Sequence, residues 1–492
     1  MSEHDHDARC HRGTPRVIDD SGFSPTRRRV LQGSAAWLAG AAGSAAFGLH
    51  ATAAAAALAQ PKNVTDYKAL VCLFLFGGND SGNTVVPYDA SEHSRYILAR
   101  EGAATRPYGI TRLRADLLPL PALPDGRVVA LPKEMSALKG LYDRGRAAVV
   151  ANVGLLAAPI SRAQFDNGSV AVPPQLFSHS DQANFWQTMM PSYGSDAGWG
   201  GRIVDLMAAA NADARVSAAI SVAGTNLWQV GRQIQPFPID AGDGAVALFN
   251  RGDDKHGKAF EAMLAAPREN VFEQELVRVF RRSIAGEQAI RQAYGATTSM
   301  LARFPNDPPA GVPGSASGWH RDLMAKLAGV ARMVASGESL GVRRQVFFVA
   351  IGGFDMHNSL EHHRFALQAI SDGLTAFDTA TVAIGKGNAV TAFTASDFGR
   401  PLQTNGTGSD HGWGAHHFVV GGAVRGGRVY GTFPGMEPRT GPEYTGAQGH
   451  MIPTTSVDQY AGAMARWMGV PDSDLPLVLP NIGRFSAPLA MF

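Results

Sequence analysis

Three apolar runs in this chain end in an acid. "VCLFLFGGND" closes on Asp80, "QVFFVAIGGFD" on Asp355, and "AVTAFTASDFGR" reaches Asp397 just before Arg400. Histidines stand in the same places: His357 follows Asp355 by two residues, and "GSDHGWGAHH" supplies Asp410, His411, His416 and His417 beyond Asp397. Carboxylates gathered at one spot repel each other unless a cation neutralises them. A mixed Asp/His set suits Zn²⁺ or Mn²⁺ better than Ca²⁺, which prefers oxygen alone. The expected divalent metal ligands are therefore Asp80, Asp355, His357, Asp397, Asp410, His411 and His416. His416 and His417 are adjacent, so at most one of them faces a given ion. A single strand-ending Asp is more often a cap or turn former, but capping does not call for histidine.

A nucleophile is sought in "LFSHSDQANFWQT", residues 176–188. Ser178 fits the N-cap of a helix, with Asp181 completing something like a capping box. It also fits a hydroxyl presented at a helix N-terminus, where the dipole and free N–H groups favour an anion. His179 and Asp181 read equally as site or surface residues. Arg400 could clamp an anionic oxygen in bidentate fashion, or pair with the rim carboxylates.

The elements that must position these residues follow from periodicity. Each acid-tipped run is continuous in β-branched and aromatic residues, as a strand buried on both sheet faces requires, and "AAVVANVG" at 147–154 shares that character. Helical periods lie between them: Leu327, Val330 and Val334 before Asp355, and Leu367, Ile370, Leu374 and Phe377 after it. "VFEQELVRVFRRSIAGEQAIRQAY" and "SVDQYAGAMARWMG" read as further helices, the second opening on a Ser cap and closing at Gly469. The alternation predicts an α/β fold, a mostly parallel sheet flanked by helices on both faces, with ligands at the carboxyl ends of the strands. Residues 155–320, richer in Pro, Gly and Asn, are expected to be insertions covering the sheet edge.

The first residues describe a destination. "SPTRRRVLQGSAAWLAGAAGSAAFGLHATAAAAALAQ" orders a basic cluster, an apolar stretch and small residues as an export signal does, and not as a membrane span. Arg27 and Arg28 resemble the twin-arginine motif, which implies the translocase for folded proteins as a partner and a periplasmic or secreted destination. Cleavage is expected before Gln60, leaving 60–492 as a single domain. Charge is nearly balanced, 44 Lys and Arg against 42 Asp and Glu, and no basic patch points to nucleic acid. Beyond the leader no apolar run is long enough to span a membrane. Of two cysteines, Cys10 leaves with the leader, so Cys72 has no partner for a disulfide within the mature chain.

"LFLFGGNDSGNTVVPYD", "LFSHSDQ", "GWGGR", "GGFDMHNSL" and "TASDFGRPLQTNGTGSDHGWGAHHFVVGGAVRGGRVYG" occur in that order. With them the chain resembles domain-of-unknown-function family 1501, which is grouped with the alkaline phosphatase and sulfatase superfamily. The resemblance implies an alkaline phosphatase-like fold, with Asp80 as first metal ligand, Asp355 and His357 as the next pair, Asp397 as a later Asp and His411 as the last His. It implies a hydroxyl nucleophile among Ser178, Ser81 and Thr84, and hydrolysis of a small-molecule or polymer phosphate or sulfate ester. Phe398 stands where the superfamily's Asp-His pair would put histidine, and the Cys/Ser-x-Pro-x-Arg sequence of formylglycine sulfatases does not occur. Two other readings stay open: a non-catalytic binding protein that keeps the fold, and a serine esterase of the SGNH type. The second rests on "NDSGN" and would need Asp253 and His256 as its Asp-x-x-His element.

Overall fold

The computed structural model describes residues 64–101, 110–190, 195–245, 255–486 and 488–492. The leader with Arg27 and Arg28, the expected cleavage before Gln60, and Asp253 lie outside the described residues. Lys68–Leu75 forms β1, buried along nearly all its length. Its side chains alternate between two apolar clusters, with Ala69, Val71, Leu73 and Leu75 in one and Leu70, Cys72 and Phe74 in the other. A strand that must fill both faces has no polar position to spare, hence the continuous apolar run. Each large side chain buried this way stabilises the fold by about 1.5–3 kcal/mol.

The other strands of this sheet are β2 (Ala147–Gly154), β3 (Ala219–Ser221), β4 (Phe237–Pro238), β5 (Arg344–Ile351), β6 (Val390–Ser396), β7 (Ala415–Val420), β8 (Val429–Tyr430) and β9 (Thr455–Ser456). Their order is β8-β2-β7-β6-β1-β5-β3-β4, with β9 also on β2. Strands β5 and β6 flank β1 in parallel, whereas β7 runs antiparallel to both β6 and β2. The sheet is therefore mixed and mostly parallel. Segment 155–320 contributes two strands of the sheet, β3 and the edge strand β4.

Helices α1 (Ala90–Glu101), α2 (His179–Thr188), α3 (Val271–Ala296), α4 (Ser317–Ala335), α5 (His363–Ala383) and α6 (Val457–Met468) matter below. Leu323 and Leu327 of α4, with Leu367 and Ile370 of α5, join the cluster on one sheet face. Val457, Ala461 and Met464 of α6 join the cluster on the other. Ser456 caps α6 by accepting from the Gln459 N–H, and Gly469, at φ 109°, ends it. Among the described residues no helix is long and apolar enough to cross a membrane.

Register fixes the rim. Leu75, the last residue of β1, lies opposite Ile351 of β5 and Ser396 of β6. The three strands end level, and the segments carrying Asp80, Asp355 and Asp397 all leave from that edge.

Candidate metal centre at the strand ends

The segments leaving the rim are tied together by Arg400. Its side chain is fully buried, and its Nε donates to the Gly78 carbonyl. The two Nη atoms reach the carbonyls of Gly77, Phe354, Ser409 and Asp410 and the Asp355 carboxylate. Glycine is needed where the first segment turns. Gly77 and Gly78 have φ of +115° and +82°, a Cβ on Gly77 would stand 2.3 Å from the Asp355 nitrogen, and one on Gly78 would stand 2.6 Å from the Phe398 ring.

Around this clamp, ring nitrogens converge. His179 Nε2 and His411 Nε2 are 3.0 Å apart, and so are His357 Nε2 and His411 Nε2. Asp355 Oδ1 lies 3.3 Å from His179 Nε2, 3.4 Å from His411 Nε2 and 3.1 Å from His357 Nε2. His179, Asp355 and His411 form the tightest set, with ligand atoms all within 4.8 Å of one another. His357 offers a further donor beside it.

The outward side of each ring fixes its protonation. His179 Nδ1 meets Asp397 Oδ2 at 2.6 Å, His357 Nδ1 meets Asp410 Oδ1 at 3.1 Å, and His411 Nδ1 meets the Phe177 carbonyl at 2.7 Å. Carboxylates and carbonyls only accept, so in the neutral imidazoles all three Nδ1 atoms carry the proton and all three Nε2 atoms turn lone pairs inward. Such facing lone pairs, with a carboxylate among them, repel one another, and either a shared proton or a cation relieves them. Ligands at about 2.0–2.1 Å from a tetrahedral ion lie about 3.3 Å apart, and the separations among His179, Asp355 and His411 are 3.0–3.4 Å. The outward partners are the kind that orient metal-ligating histidines. Phe177 presents its carbonyl from a left-handed conformation, φ +77°, uncommon for a side-chain-bearing residue.

Not every expected ligand joins the set. Asp80 is buried and paired with the fully buried Arg100 at 2.6 Å. Asp397 is also buried; its Oδ2 accepts from Gly77 N and His179, so it stands behind that ring. Asp410 does the same for His357, and Gln448 Nε2 donates to its other oxygen. His416 lies on β7, accepts the Asn152 N–H at Nδ1 and stacks on Phe433. His417 points to the opposite face and stacks on Tyr460. Arg400 has its five N–H groups committed to the clamp, which leaves none for a substrate oxygen. Ser178 is the N-cap of α2, but its hydroxyl makes no cap bond; it donates to Asp181 Oδ2 at 2.5 Å. Ser81 and Thr84 are buried, and Ser81 Oγ accepts the His416 N–H. His179 is the central member of the donor set that the spacing left undecided; its one signal was its place beside Ser178 at a helix start.

Charge follows this geometry. The hydrogen bond to Asp397 raises the His179 pKa above the ordinary imidazole value, against the effect of burial. Burial lowers that of His411 and takes His416 and His417 down to about 3, so both are neutral core residues. Burial alone would raise Asp355, but the Arg400 guanidinium outweighs it and holds the carboxyl below its usual range. Phe398 closes one side, its ring centroid 4.6 Å from that of His179 and 5.0 Å from that of His411.

This is an α/β protein with a histidine and carboxylate donor set at the carboxyl end of a mixed sheet. The chain belongs to the family described as "Protein of unknown function (DUF1501)", which matches residues 67–441. No curated protein matches it. Two solved structures titled Ps i-CgsB, one "in complex with k-i-k-neocarrahexaose", are similar at 9% identity, with TM-scores of 0.31 and 0.32. They cover 85% and 86% of this chain and 77% and 78% of theirs, a likeness too distant to bear on fold or activity.

Replacing the outer partner, Asp397→Asn, is expected to weaken Zn²⁺ binding by about 10–100-fold in a chelator competition while the fold persists. Asp80→Ala is expected to do the reverse: metal content holds, but urea unfolding shows a loss of about 3–5 kcal/mol because Arg100 is left buried and unpaired. The pH dependence has a definite sign. An ion held here would need His179 neutral, so its affinity is expected to rise as pH climbs through the raised His179 pKa and to level off above it. In the metal-free protein the same shift stabilises the fold at acid pH, and that contribution is lost as pH rises through the raised value. Metal titrations and unfolding curves at several pH values check both slopes.

Proposed function

We propose that the chain is an exported, metal-dependent hydrolase of phosphate or sulfate esters with an alkaline phosphatase-like architecture. The observation that supports it most is the inward turn of three imidazole Nε2 atoms onto the Asp355 carboxylate, with every Nδ1 proton held outside. The donor set favours Zn²⁺ or Mn²⁺ over Ca²⁺. A divalent ion held by His179, Asp355 and His411 would supply Lewis acidity and neutralise charge on the transferring group. The family match supports the reading to the extent that the family resembles that superfamily. The leader with Arg27 and Arg28 supports export into the periplasm or beyond.

Ser178 is the nucleophile in this reading. It adjoins His179 in sequence, and its hydroxyl already donates to a carboxylate, the arrangement that activates a weak nucleophile. Its proton passes to Asp181 as its oxygen bonds to phosphorus or sulfur. The ester oxygen leaves with the electron pair of the broken bond and takes a proton from solvent; water then releases the bound group and restores the hydroxyl.

One observation favours the non-catalytic alternative: Arg400 is spent on the clamp, so the arginine expected to face a substrate oxygen does not. The serine esterase reading loses support, because Ser81 is buried and hydrogen-bonded within the core.

Elemental analysis of the purified mature protein should find a divalent metal, and assays with aryl phosphate, phosphodiester and aryl sulfate should find one class hydrolysed. Ser178→Ala should lower kcat by about 10³-fold or more with metal retained, and His179→Ala should lose both. A metal-free wild type sinks the proposal, while a metal-loaded protein inert on all three esters leaves the binding-protein alternative.

A further inference from the structure

A concavity lies between α1 and the loop at residues 436–440, with a volume of about 580 Å³. Small-molecule sites run from roughly 300 to 1,000 Å³. Its polar groups are planar and hydrogen-bonding. Arg95 Nη1 bridges Glu92 and Glu437, at 2.7 and 3.1 Å. With the Gln403 amide nitrogen turned to the Ala447 carbonyl, its oxygen accepts from Arg439 Nε at 3.2 Å. The remaining N–H groups of Arg439 make no hydrogen bond among the described residues. Two guanidinium groups and the Glu437 carboxylate line the cleft, and Glu92, pairing with Arg95 from beside it, brings the local charge close to balance. Its apolar side is small: Leu98 is 63% exposed and Met436 is buried.

The cleft shares a wall with the metal centre. Gln403 lines it, while Asn405, two residues on, donates through Nδ2 to the His357 carbonyl. Two residues of chain span at most about 7 Å. Gln403 N also donates to the Gln448 carbonyl, and the Gln448 side chain holds Asp410 behind His357.

We propose that this cleft binds a neutral glycosyl unit, the leaving-group end of an ester whose other end reaches the donor set. Forked guanidinium, carboxylate and amide groups pair with vicinal hydroxyls two at a time, the Leu98 side accepts the C–H face of a sugar ring, and the near balance of charge with Glu92 beside the cleft gives a polyanion little to hold. The leaving-group role rests on the hydrolase reading, but the binding does not.

Saturation-transfer NMR on the mature protein with lactose, cellobiose and maltose in turn separates the two claims. At least one disaccharide should bind, and either Leu98→Trp, which fills the cleft, or Arg439→Ala should weaken it by about tenfold or more, a loss of about 1.4 kcal/mol. Both positions are exposed, so neither variant threatens folding. Binding should survive His179→Ala, whatever becomes of catalysis. The proposal is overturned if none of the three sugars binds, if both cleft variants bind as wild type does, or if inorganic sulfate alone is held and lost in Arg439→Ala.

Discussion

One buried guanidinium holds the site in place. Arg400 takes carbonyls from three separate segments: Gly77 and Gly78 after β1, Phe354 after β5, and Ser409 and Asp410 before β7. A cation without solvent is costly unless each of its donors is met, and here they are. The cost of burying it becomes a constraint on the chain, because the three loops must adopt the one arrangement that satisfies it. Asp355, His357 and His411 are carried on those loops, so their convergence follows from the clamp. This also explains why Arg400 is not a substrate ligand.

Beneath the clamp, the sheet supplies the level edge. Strands β6, β1 and β5 run parallel and in register, and their buried side chains leave no room for slippage by one residue, which would turn each apolar set to the wrong cluster. How far an acid stands from its strand end then decides what it does. Asp397 follows β6 directly and stays buried as the anchor of His179. Asp355 comes four residues after β5 and reaches the rim, where its side chain is 46% exposed. Asp80 comes five residues after β1, but its turn folds back into the core.

Much of this was legible in the sequence. Continuous apolar runs announced strands buried on both faces, and the helical periods of α4 and α5 gave the layers around them. Asp355, His357 and His411 were readable because they follow those strands in glycine-rich segments, where side chains can reach a common point. What the spacing could not show was long-range pairing. Asp80 and Arg100 are separated by 20 residues, and nothing local announces that one neutralises the other. His416 and His417 sit on β7, where successive side chains take opposite faces and both meet core rings. His179 depends on how the loop before α2 aims it, with Phe177 in a left-handed turn that a phenylalanine does not advertise.

The central claim is that His179, Asp355 and His411 hold a cation between them, and X-ray absorption at the metal edge of the purified protein tests it most directly. The account predicts a bound Zn²⁺ or Mn²⁺ with a nitrogen and oxygen shell at about 2.0–2.2 Å and the outer-shell scattering of at least two imidazoles, both lost in His179→Ala. A protein that binds no metal, or an ion in an all-oxygen shell unaffected by His179→Ala, would contradict it.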